Sequence, residues 1–170
     1  MTPREQEEYR ALRATIRERG TARVWIFVAG LVGWAALVIA TASLAALPIA
    51  TLLPLLVLAA VFEAMFSLHT GVERIGRYLQ VFMEDAGGWE QRAMAFGRAH
   101  PKAGSDPLFA AIFIAATVLN FVPVLVSEPV PIEISVIGGL HAVFIARVLL
   151  AKRAAAHQRA QDLERFNALR

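Results

Sequence analysis

The stretch Ile49–Asp85 reads IATLLPLLVLAAVFEAMFSLHTGVERIGRYLQVFMED. Its first fourteen residues carry no charge. A single carboxylate follows, Glu63, then Ser67, His69 and Thr70, and from Val72 to Asp85 the pattern is that of a charged amphipathic helix. A membrane-crossing helix needs about 20 largely apolar residues. The uncharged run that ends at Phe62 begins at Val24 and is 39 residues long, enough for two passes joined by a tight turn. The stretch therefore predicts a second membrane pass that runs on as a helix beyond the bilayer.

Working outward, Pro107–Ser127 forms another uncharged run, and Ile134–Ala146 a shorter one that extends past Arg147 to Ala151. With 57% hydrophobic residues in 170, the chain is more apolar than an ordinary soluble domain. These runs predict an all-α membrane protein with four transmembrane helices arranged as two hairpins. The helical cytoplasmic extensions are an N-terminal helix and the prolonged second and fourth helices. The corresponding division is a cytoplasmic amphipathic helix at 1–20, a first transmembrane hairpin at 21–70 and a cytoplasmic helical linker at 71–106. A second hairpin follows at 107–151 and a cytoplasmic basic helix at 152–170.

All 17 Lys and Arg fall in 1–23, 70–106 and 147–170, and none in the turns at 45–50 and 127–133. Basic residues concentrate on the cytoplasmic side of membrane proteins. The expectation is an integral protein of the cell (inner) membrane with both termini cytoplasmic. The high sequence pI of about 9.9 is then a matter of topology, and nucleic acid is not expected as a partner. Cysteine is absent, which excludes disulfides and thiol chemistry.

Local signals refine the picture. Thr2, Pro3 and Glu5 form a capping box, and Gly20 is the expected stop of the first helix. Ala42–Ala46 loosely resembles a cleavage site, but a charged, capped segment precedes the apolar run, so an uncleaved first pass to Ala46 is expected. Ala29, Gly33, Ala36 and Ala40 share one helical face, and small residues at that period permit close helix approach. Trp34 lies mid-span and requires an indole partner or a groove. Val72, Ile75, Leu79, Phe82 and Met83 form an apolar face ending at Gly87-Gly88, followed by a short helix from Trp89 to Arg98. Asp106 and Pro107 are the expected N-cap and first residue of the third pass. The fourth helix has no Pro or Gly after residue 139 to interrupt it.

Glu63 is the leading candidate for function, because a carboxylate among apolar residues must be neutral, paired or hydrated. At 100° per residue, Glu63, Ser67, Thr70, Arg74 and Arg77 fall near one line along the helix. A line of that kind suits a proton or cation route, and equally a face that joins helices. The joining reading is preferred. The expected partner of Glu63 is His141, with His69 and Arg147 as alternatives. Glu73 and Arg77 are an i, i+4 pair, and His69 with Glu73 has the spacing of a metal pair, but no metal site or cofactor is expected. Asn120 and Thr117 are read as interhelical hydrogen-bonding residues. No triad, phosphate-cradling loop or dense polar cluster points to an enzyme.

Two functions fit. One is a structural or regulatory assembly module whose cytoplasmic helices meet a second copy, a protein partner or anionic lipids of the bilayer. The other is an oligomeric ion or proton channel or transporter with Glu63 on its route.

Overall fold

The computed structural model describes residues 1–42, 47–85, 87–100 and 106–170. Every regular element among them is helical: α1, Pro3–Ala42; a 3₁₀ turn, Pro48–Thr51, leading into α2, Leu52–Tyr78; α3, Trp89–Ala99; α4, Ala110–Val126; and α5, Pro131–Ala168. A π-helical turn, Leu79–Met83, closes α2. Three of these helices are long and apolar enough to cross a membrane, namely α1, α2 with its flanking turns, and α5. The chain belongs to the all-helical class, and an integral membrane protein is the class these three helices indicate. The expected end of the first pass at Ala46 and most of the loop before Asp106 lie outside the described residues.

α1 begins as the capping box requires. The Thr2 N–H donates to Glu5 Oε2 (2.6 Å) and the Glu5 N–H to Thr2 Oγ1 (3.3 Å). The helix does not stop at Gly20, which corrects the separate helix expected over 1–20. One interior Gly costs about 1 kcal/mol relative to Ala, too little to break a helix with no proline between positions 3 and 48. Two other boundaries also shift. α2 and its π turn end at Met83, before Asp85. α4 starts at Ala110, not Pro107, because Phe109 sits in the left-handed region at φ 50°. That conformation costs a non-glycine residue of order 1–2 kcal/mol. The Phe109 ring stacks on Phe27 at 4.3 Å, a contact that helps offset the strain.

The chain divides into two compact units. The apolar unit comprises Val24–Phe66 and Leu108–Lys152, and the polar unit comprises Met1–Arg23, Ser67–Pro107 and Arg153–Arg170. All but five of the Asp, Glu, Lys and Arg residues belong to the polar unit.

In the apolar unit α2 buries Leu55, Leu58, Phe62 and Met65, and α5 buries Ile137, His141, Phe144, Val148 and Ala151. Both series step by three and four, the period that keeps a stripe on one helix face. Phe62 is the centre of the packing. Its ring meets Phe113 edge-on at 5.2 Å and Phe144 at 5.9 Å, and Phe27 reaches Phe113 at 5.9 Å. Edge-to-face pairs contribute about 0.5–1.5 kcal/mol each beyond their area.

The close approach of α1 to α2 occurs at Gly30, where any Cβ would overlap the Val61 side chain. The expected small-residue face lies elsewhere. Ala29, Ala36 and Ala40 are exposed, and a Cβ at Gly33 would meet nothing within 4 Å. Gly33 sits one turn along from Gly30 but about 60° around the helix, at three residues of 100° each. Gly30→Ala should therefore lower the thermal midpoint of the detergent-solubilised protein, with an overpacking cost of about 1–3 kcal/mol. Gly33→Ala should leave it unchanged or slightly raised. Scanning fluorimetry of both variants checks the pair.

Candidate functional site

Glu63 lies on the outside of the apolar unit, its side chain half exposed, and is held by Arg147. The contact is bidentate: Arg147 Nε to Oε1 and Nη2 to Oε2, each 2.8 Å. The guanidinium also lies over the rings of Phe66 at 4.5 Å and Phe62 at 5.6 Å. This corrects the expected pairing of Glu63 with His141 in favour of Arg147. His141 and Arg147 stand six residues apart on α5, about 240° around a helix at 100° per residue, so only one of them can face Glu63. The forked contact makes a neutral pair, which greatly reduces the cost of placing either charge in an apolar setting.

His141 points inward and is buried. Its Nδ1 donates to the Ile137 carbonyl (2.8 Å), so its Nε2 accepts from Asn120 Nδ2 (3.0 Å). Asn120 Nδ2 donates as well to the Thr51 carbonyl (2.9 Å). Thr51 and Thr117 turn their hydroxyls back to the carbonyls of Pro48 and Phe113. Asn120 thus joins α4 to α5 and to the turn before α2. The indole N–H of Trp34, also buried, has no acceptor among the described residues.

In the polar unit the expected line from Ser67 to Arg77 divides. Ser67 and Arg74 are exposed, whereas Arg77 is buried. Thr70 directs its hydroxyl to the Ser67 carbonyl (3.1 Å). Arg74 pairs with the buried Asp162 of α5 (3.1 Å). Arg77 donates to Gln80 Oε1 (2.7 Å) and to Glu90 Oε2 (3.2 Å). Burial holds the Arg77 guanidinium below its ordinary pKa, against the opposing pull of Glu73 and Glu90. Glu73 takes Arg159 of α5 as its partner, and His69 meets Arg23 of α1 through Nδ1 (3.2 Å). His69 and Glu73 are therefore each engaged with an arginine.

The densest charged cluster is one the sequence reading did not single out. Glu90, buried on α3, receives Arg13 of α1 (2.7 Å) and Arg77 of α2. Its own N–H donates to Glu84 Oε2 (2.8 Å), and Glu84 Oε1 accepts from Arg13 (2.6 Å) and from Tyr9 (3.3 Å). A glycine makes the approach possible: a Cβ at Gly76 would stand 2.9 Å from Glu90 Oε2. Gly76, next to Arg77 in the sequence, was the available signal, since a glycine in the middle of a helix marks close packing. Tyr78 donates to Glu8 (2.9 Å), a bond that raises the phenol above its ordinary pKa.

No family model, curated protein or solved structure matches this chain.

The buried amide of Asn120 offers a direct check on the polar contacts of the apolar unit. Asn120→Ala strips a donor from two buried acceptors, Thr51 O and His141 Nε2. An unsatisfied buried group costs about 1–3 kcal/mol. The variant should unfold in detergent at a clearly lower temperature, and Asn120→Asp, which lacks the NH₂ group, should be no better.

Proposed function

We propose that this chain is a small integral membrane protein that works as a structural or regulatory assembly module through its polar unit. In this reading four helices cross the bilayer as two hairpins. α1, α2 and α5 make full passes. α4, 17 residues long, makes a short one of about 25 Å at 1.5 Å per residue. It is closed at its end by Pro123, whose carbonyl accepts the Ser127 N–H. The distribution of basic residues favours both termini and the 71–106 segment in the cytoplasm of a cell with an inner membrane.

The observation that carries the assembly reading is the state of Glu63. Its two oxygens are taken up by one guanidinium on the outer face of the apolar unit. A carboxylate on an ion route has to exchange its partner for water or ion with little penalty, and a forked arginine pair resists that. In the polar unit Arg13, Glu73, Arg74, Arg77, Glu84, Glu90, Arg159 and Asp162 are likewise joined in ion pairs across α1, α2, α3 and α5. That supports a rigid, charged surface for a partner. The exposed row of Ala29, Ala36 and Ala40 with Gly33 gives a second copy a face for close helix contact.

The expected outcome is an oligomer in nanodiscs by native mass spectrometry, shifted toward monomer by Gly33→Ile. Proteoliposomes should show no ion or proton flux above the lipid background, in the wild type or in Glu63→Gln. A wild-type flux abolished by Glu63→Gln would replace the assembly reading with the channel.

A further inference from the structure

The polar unit contains a cavity of about 440 Å³ between α2, α3 and α5. Its charged wall is formed by Arg77, Arg98, Arg159, Glu73 and Glu90. Both carboxylates are already engaged, Glu90 by Arg13 and Arg77 and Glu73 by Arg159. The cations are not used up. Arg98 makes no side-chain hydrogen bond or ion pair with the described residues. Arg77 is only 5% exposed, yet its Nε–H has no acceptor among the described residues. A buried donor left unpaired costs about 1–3 kcal/mol, more when charged, and buried unsatisfied groups in a folded protein call for an explanation. The rest of the wall is mainly apolar, with Met94 and Leu163 on opposite helices.

We infer that this cavity is a binding site for an oxyanion, a phosphate or carboxylate group carried on a small or lipid-borne body. Three arginines stand against two neutralised carboxylates, which leaves net positive charge in the wall. The open donors of Arg77 and Arg98 belong to guanidinium groups, whose planar fork matches a tetrahedral or planar oxyanion. The volume is that of a small-molecule pocket, and its apolar share suits the body that carries the anion. Arg159 adds a third cation, shared with Glu73. The inference is independent of the assembly reading, because it rests on the cavity and its unused donors, not on how many copies associate.

The test uses the full chain in phosphatidylcholine nanodiscs, titrated with sodium phosphate, pyrophosphate and citrate at constant ionic strength, with chloride as reference. At least one oxyanion should raise the thermal midpoint, by roughly 4 °C or more near saturation. If the anion comes from a lipid headgroup, the same rise appears on adding phosphatidic acid to the disc, and the soluble anions add nothing further. Either result supports the site and identifies the source. Arg98→Gln truncates an exposed side chain and leaves the fold intact, but should weaken the response at least tenfold. Arg92→Gln removes the same charge from the same helix outside the cavity, and should respond like the wild type. The inference is overturned if no oxyanion and no acidic lipid exceeds chloride. It is equally overturned if Arg98→Gln responds as the wild type does, or if both variants lose the response alike.

Discussion

Glu90 is a buried carboxylate on which two other helices converge. Arg13 reaches it from α1, Arg77 from α2, and its own backbone N–H is tied to Glu84, just beyond the π-helical turn that closes α2. α3 is only eleven residues long, too short to hold its shape in water on propensity alone. Its position therefore depends on tertiary contacts, and the charge-assisted bonds of Glu90 are the strongest polar ones it makes. Removing one member of a buried charged set is far costlier than the set's net contribution, because the remaining charges stay buried without partners. The absence of a side chain at Gly76 is what lets the carboxylate lie against α2. Arg77, Gln80 and Gln91 continue the network from there.

The same constraint, that no charge or polar group stays both buried and unpaired, is met differently in the apolar unit. Few charges are present there, and the central pair, Glu63 with Arg147, is turned outward and laid against Phe62 and Phe66. The inward positions go to neutral groups. Asn120 and His141 satisfy each other and two backbone carbonyls. Around them the interlocked rings of Phe62, Phe113 and Phe144 fill the core. Hydrocarbon packing thus organises one unit and ion pairing the other. The buried donors left open among the described residues are the indole N–H of Trp34 and the Nε–H groups of Arg23 and Arg77, and that of Arg77, which shares its cavity with the exposed Arg98, is the place where a ligand is to be sought.

Helix existence was readable because it depends on local, periodic signals: long uncharged runs, a capping box at Thr2 and Glu5, and spacings of three and four at Leu55, Leu58, Phe62 and Met65. What the sequence left open was rotation about each helix axis. Arg74 and Arg77 differ by only 60° at 100° per residue, yet the boundary between exposed and buried falls between them. Glu63 had three candidate partners, and the choice between His141 and Arg147 turned on the rotation of α5. Gly30, not Gly33, meets α2 for the same reason. The start of α4 was missed because a left-handed Phe109 is held by a tertiary ring stack on Phe27, to which Asp106 and Pro107 give no clue. Glu90 escaped notice because nothing local separates a carboxylate that two distant arginines will claim from an ordinary solvated one.

The most direct test of this account is amide hydrogen exchange in the full chain, comparing the wild type with Glu90→Gln. The substitution keeps the shape of the side chain and removes its charge. If Glu90 fixes α3 in the polar unit, protection of the α3 amides should fall about tenfold or more, the loss expected when charge-assisted hydrogen bonds are weakened. Protection in α4, which belongs to the apolar unit, should stay as it is. Unchanged protection throughout α3 would contradict the account, because the helix would then be held by packing alone.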